Sequence, residues 1–212
     1  MKHLMVCISI VAGLAADVAY AQFGVPWRHV PRITVVSPAG DSRLQAVDQA
    51  IAFWNRTLAE IGSGFRLGSL TRVARPIPED ALQLLSAEVV GGRGRSANIP
   101  PALLDSPGDL TIVLAESAFI SFASPPFDEN SKRIVGIRGT SAPPMNLPNV
   151  PRNVIAHELG HAIGLGHNSD PTTLMCGRPA SCRPDLFRSD EPRMFPLTED
   201  EKHRLLTMYP SR

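Results

Sequence analysis

The chain has 212 residues, of which 43% are hydrophobic and 19% are charged. That apolar content is enough for a packed core and argues against wholesale disorder. The formal net charge is only +1, so the composition gives no indication of binding to nucleic acid or to an anionic membrane. We find no internal repeat. The composition therefore favours an ordinary globular domain over a disordered chain, a repeat array or a nucleic-acid-binding protein.

Residues 1–21 have the features of a secretory signal peptide. Lys2 gives a basic start, residues 4–16 form an apolar run, and residues 19–21 read Ala-Tyr-Ala, an A-x-A cleavage site. The apolar run is too short for a membrane anchor. The alternative to a signal peptide is that these N-terminal residues form an apolar strand of the core. We expect export to the periplasm or the cell exterior, with 22–212 remaining as a single domain.

The first elements of the mature chain are predicted as strand, helix and strand. Ile33–Val36 is a β-branched run of strand length. A helix follows, because apolar residues then recur at the 3.6-residue period until Gly62. These residues are Leu44, Val47, Ile51, Trp54, Leu58 and Ile61. Phe65–Leu67 predicts the second strand. So regular an apolar stripe indicates core packing rather than a cofactor site.

The middle of the chain predicts one more helix and two more strands. Residues 79–90 could form a helix, and the glycines and prolines after them indicate a long loop. Leu110–Leu114 and Ile134–Ile137 are apolar runs of the length of buried strands.

Residues 157–167 read HELGHAIGLGH and concentrate three histidines and one glutamate. If 151–163 form a helix, His157 and His161 lie one turn apart on the same face, as a shared metal ion requires. Glu158 then lies about 100° around the helix, near the metal without ligating it.

The third ligand depends on the turn that follows this helix. Gly164 can adopt the positive φ of a left-handed cap, so the chain can turn back and His167 can supply a third nitrogen. Three imidazoles suit Zn²⁺ and leave a fourth position for water, the catalytic rather than the structural pattern. Zinc would acidify that water, and Glu158 would accept its proton. The alternative, HExxH in an ordinary helix, leaves the glycine and the third histidine unexplained.

The motif HExxHxxGxxH followed by a methionine resembles the metzincin metalloproteases, and here Met175 lies eight residues past His167. The run between them, HNSDPTTLM, is most similar to the matrixins, the matrix-metalloproteinase-like branch known as peptidase family M10. The resemblance implies an α+β, zincin-like fold: a twisted mixed sheet, an N-terminal helix, the active-site helix, and a small C-terminal subdomain with a Met-turn and a final helix. It divides the domain into an upper part at about 30–166 and a lower part at about 167–212.

The resemblance also assigns roles near the C-terminus. Met175 would form the Met-turn, a hydrophobic base under the zinc rather than a ligand. Thr198 and Glu201 have the spacing of a capping box, which predicts a helix through about Met208. In the last helix of matrixins an acidic residue supports the Met-turn, and Asp200 matches that position.

Cys176 and Cys182 follow directly after the Met175 position. In an oxidising compartment we expect a disulfide between them, which contributes about 2 kcal/mol in the chain-entropy model. Two free thiols, or a thiolate that reaches the zinc, are the alternatives. A disulfide would brace the wall of the pocket for the substrate residue after the cleaved bond.

One catalytic zinc ion is the expected metal content. Outside the motif only His29 and His203 remain after signal cleavage, too few for the structural zinc of vertebrate matrixins. Asp128, Glu129 and Asn130 could bind Ca²⁺, as comparable matrixin loops do, but a solvated turn is the simpler interpretation.

These features predict a secreted zinc endopeptidase in which Glu158 is the general base and later protonates the leaving amine. A protein or peptide substrate would bind as an extended strand along an antiparallel sheet edge, formed by residues 118–123 or 134–138. We expect a monomer with no nucleic-acid partner and no membrane anchor. The alternative is a catalytically silent, zinc-stabilised binding module, which gives no reason for a carboxylate beside the first ligand.

Overall fold

The structure is a computed structural model of the chain, and it describes residues 25–75, 78–93, 99–125, 132–177, 180–182, 185 and 188–211. The signal peptide predicted at 1–21 and the candidate calcium ligands Asp128, Glu129 and Asn130 lie outside the described residues. Within those ranges, no helix combines the length and the apolar character that a membrane span requires.

A five-stranded sheet forms the centre of the fold. Its strands are β1 (Ile33–Ser37), β2 (Leu70–Ala74), β3 (Leu110–Leu114), β4 (Phe122–Ala123) and β5 (Arg133–Ile137). They are arranged in the order β2-β1-β3-β5-β4, and all neighbours are parallel except β4, which runs antiparallel to β5. Every residue of β1, β3 and β5 is buried, as expected for parallel strands that are covered on both faces.

Helices cover both faces of this sheet. They are α1 (Leu44–Glu60), α2 (Glu79–Glu88), α3 (Pro101–Leu104), α4 (Asn149–Ala162) and α5 (Glu199–Met208), with a turn of π-helix at Val89–Arg93. The predicted helices at 79–90, 151–163 and 198–208 are confirmed to within a few residues. An α+β architecture with a mixed sheet fits the metzincin-like fold that the resemblance implied.

Alternate residues of the strands face two different layers. Ile112 packs in the larger core, formed with α1 and α4, whereas Val113 packs in a smaller core with Leu82 of α2. Trp54 of α1 is fully buried, and its indole N–H donates to the Ala156 carbonyl of α4 at 2.8 Å. This bond fixes α4 against α1.

The prediction of a strand at Phe65–Leu67 is wrong, because β2 and its pairing with β1 begin only at Leu70. Phe65 and Leu67 are both buried, and they alternate with the half-buried Arg66 as residues of a strand would. The amide side chain of Asn55 accepts from the Leu67 N–H at 2.8 Å and donates to the Leu67 carbonyl at 3.0 Å. Because one side chain occupies both backbone groups of Leu67, this residue is not available for a sheet ladder.

Of the two segments considered for the antiparallel edge, 118–123 contains it. Phe122 and Ala123 form β4 and pair with Gly136 and Val135 of β5. β5 itself lies inside the sheet, between β3 and β4.

Candidate metal centre

Helix α4 carries the first two histidines on the side that does not pack into the core. Ile155 and Leu159 are fully buried in the larger core and hold the helix in place. His157 and His161, one turn apart, project toward the segment that follows the helix. The regular spacing of one rigid helix therefore positions both rings.

His167 completes a cluster of three imidazole nitrogens. Its Nε2 atom lies 3.2 Å from that of His157 and 3.0 Å from that of His161, and the Nε2 atoms of His157 and His161 are 3.1 Å apart. A tetrahedral zinc ion with bonds of about 2.0–2.1 Å needs ligand nitrogens about 3.3 Å apart. The observed distances are slightly shorter and fit such an ion.

The chemistry of the donor set supports a metal rather than hydrogen bonds among the three rings. Nδ1 of His157 lies 2.8 Å from the Leu174 carbonyl, and Nδ1 of His161 lies 2.8 Å from the Leu165 carbonyl. A carbonyl only accepts, so both Nδ1 atoms carry the proton and both Nε2 atoms present lone pairs. Two such nitrogens cannot hydrogen-bond to each other, but they can share a cation.

Burial favours the neutral form of His161, the form in which an imidazole binds a metal ion. His161 is 4% exposed, and burial, reinforced by the neighbouring rings of His157 and His167, lowers its pKa well below the usual value. Burial also lowers the pKa of His167.

Glu158 lies beside the first ligand and is itself buried, with 7% exposure. Burial raises the pKa of its carboxyl group to about 8. Placing a carboxyl group in such a position lowers fold stability, and groups of this kind concentrate at functional sites.

Gly164 follows the end of α4 and turns the chain toward His167. Its φ is 108°, a value that residues with a side chain adopt rarely. The Gly164 N–H donates to the His161 carbonyl, and the Leu165 N–H donates to the Gly160 carbonyl, both at 2.9 Å. These bonds close the helix within one turn, and His167 follows three residues later.

Met175 is fully buried against the helix segment that carries the histidines. A Cβ atom on Gly160, which precedes His161, would lie 2.5 Å from the Met175 sulfur and 2.9 Å from the ring of Trp54. Gly160 therefore allows the methionine to approach α4 closely. Sequence reasoning missed this role of Gly160, although a glycine inside a helix was a signal for it.

The expected disulfide is present and joins Cys176 to Cys182, whose Cα atoms are 5.9 Å apart. The two alternatives, free thiols and a thiolate bound to zinc, are therefore not what the structure contains. The bridge begins directly after Met175, in the segment next to the metal ligands.

Comparison with known proteins identifies the same region. The family model for matrixins, peptidase family M10, matches residues 138–209, which include α4, all three histidines and α5. Matrix metalloproteinase-27 of Homo sapiens is 38% identical over 56 residues, which are 26% of this chain and 9% of that protein. The resemblance to matrixins is confirmed. The matched part is about a third of the chain and contains the candidate metal ligands, whereas β1 to β5 precede it.

Within the matrixin-like region, the acidic residue that contacts the segment after His167 is Glu201 and not Asp200. Asp200 is exposed, whereas Glu201 is buried with 7% exposure. One Glu201 oxygen accepts from Asn168 Nδ2 at 2.6 Å, and the other accepts from the Thr198 N–H at 2.8 Å. The capping box was predicted correctly. In the first turn of α5 position 201 faces inward, so Glu201 makes the contact with Asn168, whereas support of the Met-turn by Asp200 stays a prediction.

Two buried asparagines at the start of α4 were also missed. Asn149 and Asn153 lie on the same face of the helix as His157, and their amides bond to the backbone of residues 189–195. For example, Asn153 donates to the Arg193 carbonyl at 2.9 Å and accepts from the backbone N–H of residue 195 at 2.8 Å. The only sequence signal was a polar residue on an otherwise buried helix stripe.

Proposed function

We propose that this protein is a secreted zinc endopeptidase of matrixin type. The observation that carries the proposal is the set of three imidazoles, with Nε2 atoms 3.0–3.2 Å apart, beside the buried carboxyl group of Glu158. The similarity to matrixins over 138–209 supports the same activity.

Each residue of the site has a defined task in this proposal. His157, His161 and His167 would hold one Zn²⁺ ion, which when bound supplies a Lewis acid for the substrate carbonyl and acidifies a water molecule. Glu158 accepts a proton from the attacking water and delivers it to the leaving amine. Met175 would serve as the hydrophobic base of the site, in the manner of a Met-turn.

The substrate in this proposal is a protein or peptide bound as an extended strand. This strand would add beside β4 (Phe122–Ala123), the antiparallel strand at one edge of the sheet. The enzyme would act as a monomer outside the cytoplasm. Export is supported by the N-terminal pattern at 1–21 and by the Cys176–Cys182 disulfide.

Metal content and cleavage of a mixed peptide library test the proposal. We expect one zinc ion per chain and new peptide termini, read by mass spectrometry, that disappear with a chelator and return when zinc is restored. A zinc-loaded protein that produces no chelator-sensitive cuts would instead be a zinc-stabilised binding module.

Glu158→Ala separates metal binding from catalysis. We expect the variant to retain its zinc and to lose at least about 100-fold in the rate of peptide cleavage, because it lacks the proton acceptor. Glu199→Ala is the control, since Glu199 is 87% exposed in the first turn of α5. Undiminished cleavage by Glu158→Ala would contradict the mechanism.

A further inference from the structure

The third histidine of the site is supported differently from the first two. His157 and His161 lie on the 14-residue helix α4, whereas His167 lies after the helix ends, in a segment without regular secondary structure. The direction of the His167 imidazole must therefore be set by contacts with other parts of the chain.

The segment Leu174–Gly177 supplies such contacts. The Asn168 N–H donates to the Met175 carbonyl at 2.9 Å, and the Gly177 N–H donates to the Asn168 carbonyl at 3.1 Å. A short parallel bridge pairs Asn168 with Cys176. These backbone bonds hold Gly177 next to His167, the residue before Asn168.

Gly177 lies against the face of the His167 ring. A Cβ atom added to Gly177 would lie 2.5 Å from Nδ1 of His167 and closer still to Cγ and Cδ2, whereas real Cβ atoms essentially never come within 3.0 Å of another group. The φ of Gly177 is not positive, so alanine could adopt the same backbone conformation. Glycine is therefore required here for space and not for backbone freedom.

We propose that Gly177 is a positioning residue of the metal site, which lets the His167 ring lie where its Nε2 meets those of His157 and His161. Any side chain at position 177 would displace the ring, and zinc–nitrogen bonds of about 2.0–2.1 Å tolerate little displacement. This proposal rests on the zinc centre of the proposed function. It extends that centre to a residue that has no side chain with which to ligate the metal.

Zinc affinity of Gly177→Ala is the first test, measured by competition with a chromophoric chelator. Changes in groups that orient a ligand typically weaken metal binding by about 10- to 100-fold, and we expect a loss in this range. The unfolding temperature of the metal-free protein should change little, because the displaced ring can move when no metal holds it. Gly91→Ala is the matched control, since its added Cβ would have no neighbour closer than 3.5 Å.

A double-mutant cycle with His167→Ala distinguishes positioning from a general structural role. With no ring present, Gly177→Ala should cause no further loss of zinc affinity and no change in unfolding temperature. If Gly177→Ala alone fails to fold, the double variant should still fold as His167→Ala does.

Three results would overturn the proposal. The first is wild-type zinc affinity in Gly177→Ala. The second is that Gly177→Ala weakens zinc binding as much in the His167→Ala background as in the wild type. The third is that the double variant fails to fold although His167→Ala folds. A protein that binds no zinc even with Gly177 and His167 intact would overturn the metal centre and, with it, this inference. Zinc binding without any peptide cleavage would leave the inference standing and remove only the proposed enzyme activity.

Discussion

Replacing Glu201 should destabilise the protein far more than replacing Asp200, although the two residues are adjacent and carry the same charge. Glu201 links the start of α5 to the segment after His167, because its two oxygens accept from the Thr198 N–H and from the Asn168 amide. Asp200 is exposed in the same turn.

The magnitude follows from the two bonds that Glu201→Ala removes. Loss of the capping-box bond costs about 1 kcal/mol. Loss of the hydrogen bond from Asn168 Nδ2 to the buried carboxylate costs about 1.5–3 kcal/mol, and this Nδ2 keeps only its bond to Thr173. Together they lower the free energy of unfolding by about 3 kcal/mol, which for a chain of this length lowers the unfolding temperature by about 6–12 °C. For Asp200→Ala the surface position predicts a change within about 0.5 kcal/mol.

Thermal unfolding and urea denaturation, both followed by far-ultraviolet circular dichroism on metal-free protein, measure these changes. The midpoint of the Glu201→Ala transition should shift while the urea dependence keeps its slope. Equal shifts for the two variants, or a larger shift for Asp200→Ala, would refute the assignment of the inward-facing role to Glu201.

Two further stability predictions concern the segments around the metal ligands. Replacing Cys176 and Cys182 by serine should lower the free energy of unfolding by about 2 kcal/mol, because the bridge closes a short loop in the unfolded chain. Reducing the unmodified protein should shift thermal unfolding similarly, and an unchanged midpoint in both experiments would contradict the estimate. Asn153→Leu should lower the free energy of unfolding by about 2–4 kcal/mol in urea denaturation, because the buried N–H of Phe195 and the part-buried carbonyl of Arg193 lose their side-chain partner. Asn146→Leu, at an exposed position, is its control, and similar losses for the two variants would argue against the role of Asn153.

The sequence was informative wherever the physical constraint was local. The spacing of His157 and His161 fixes their relative direction once the segment is helical, and the apolar run at 110–114 matches β3 residue for residue. The capping box of α5 could likewise be predicted from the sequence, because it depends on two residues three positions apart.

The errors arose where a distant side chain competed with the local pattern. Phe65 and Leu67 alternate as a strand does, but Asn55 on α1 occupies the backbone groups that a ladder would need. The bond between Glu201 and Asn168 was not predictable for a similar reason, since the chemistry of Asp200 and Glu201 does not tell which of them faces Asn168.

By itself, the sequence determined the chemical identity of the candidate ligands and the helix that carries two of them, because both depend on neighbours within one helical turn. Only the tertiary structure decided how the third ligand is held. His167 lies outside any helix, and its ring is placed by Gly177, a residue whose contribution is the absence of a side chain. Such a contribution depends on the close approach of two separate segments, and the one-dimensional pattern of a sequence does not record that approach.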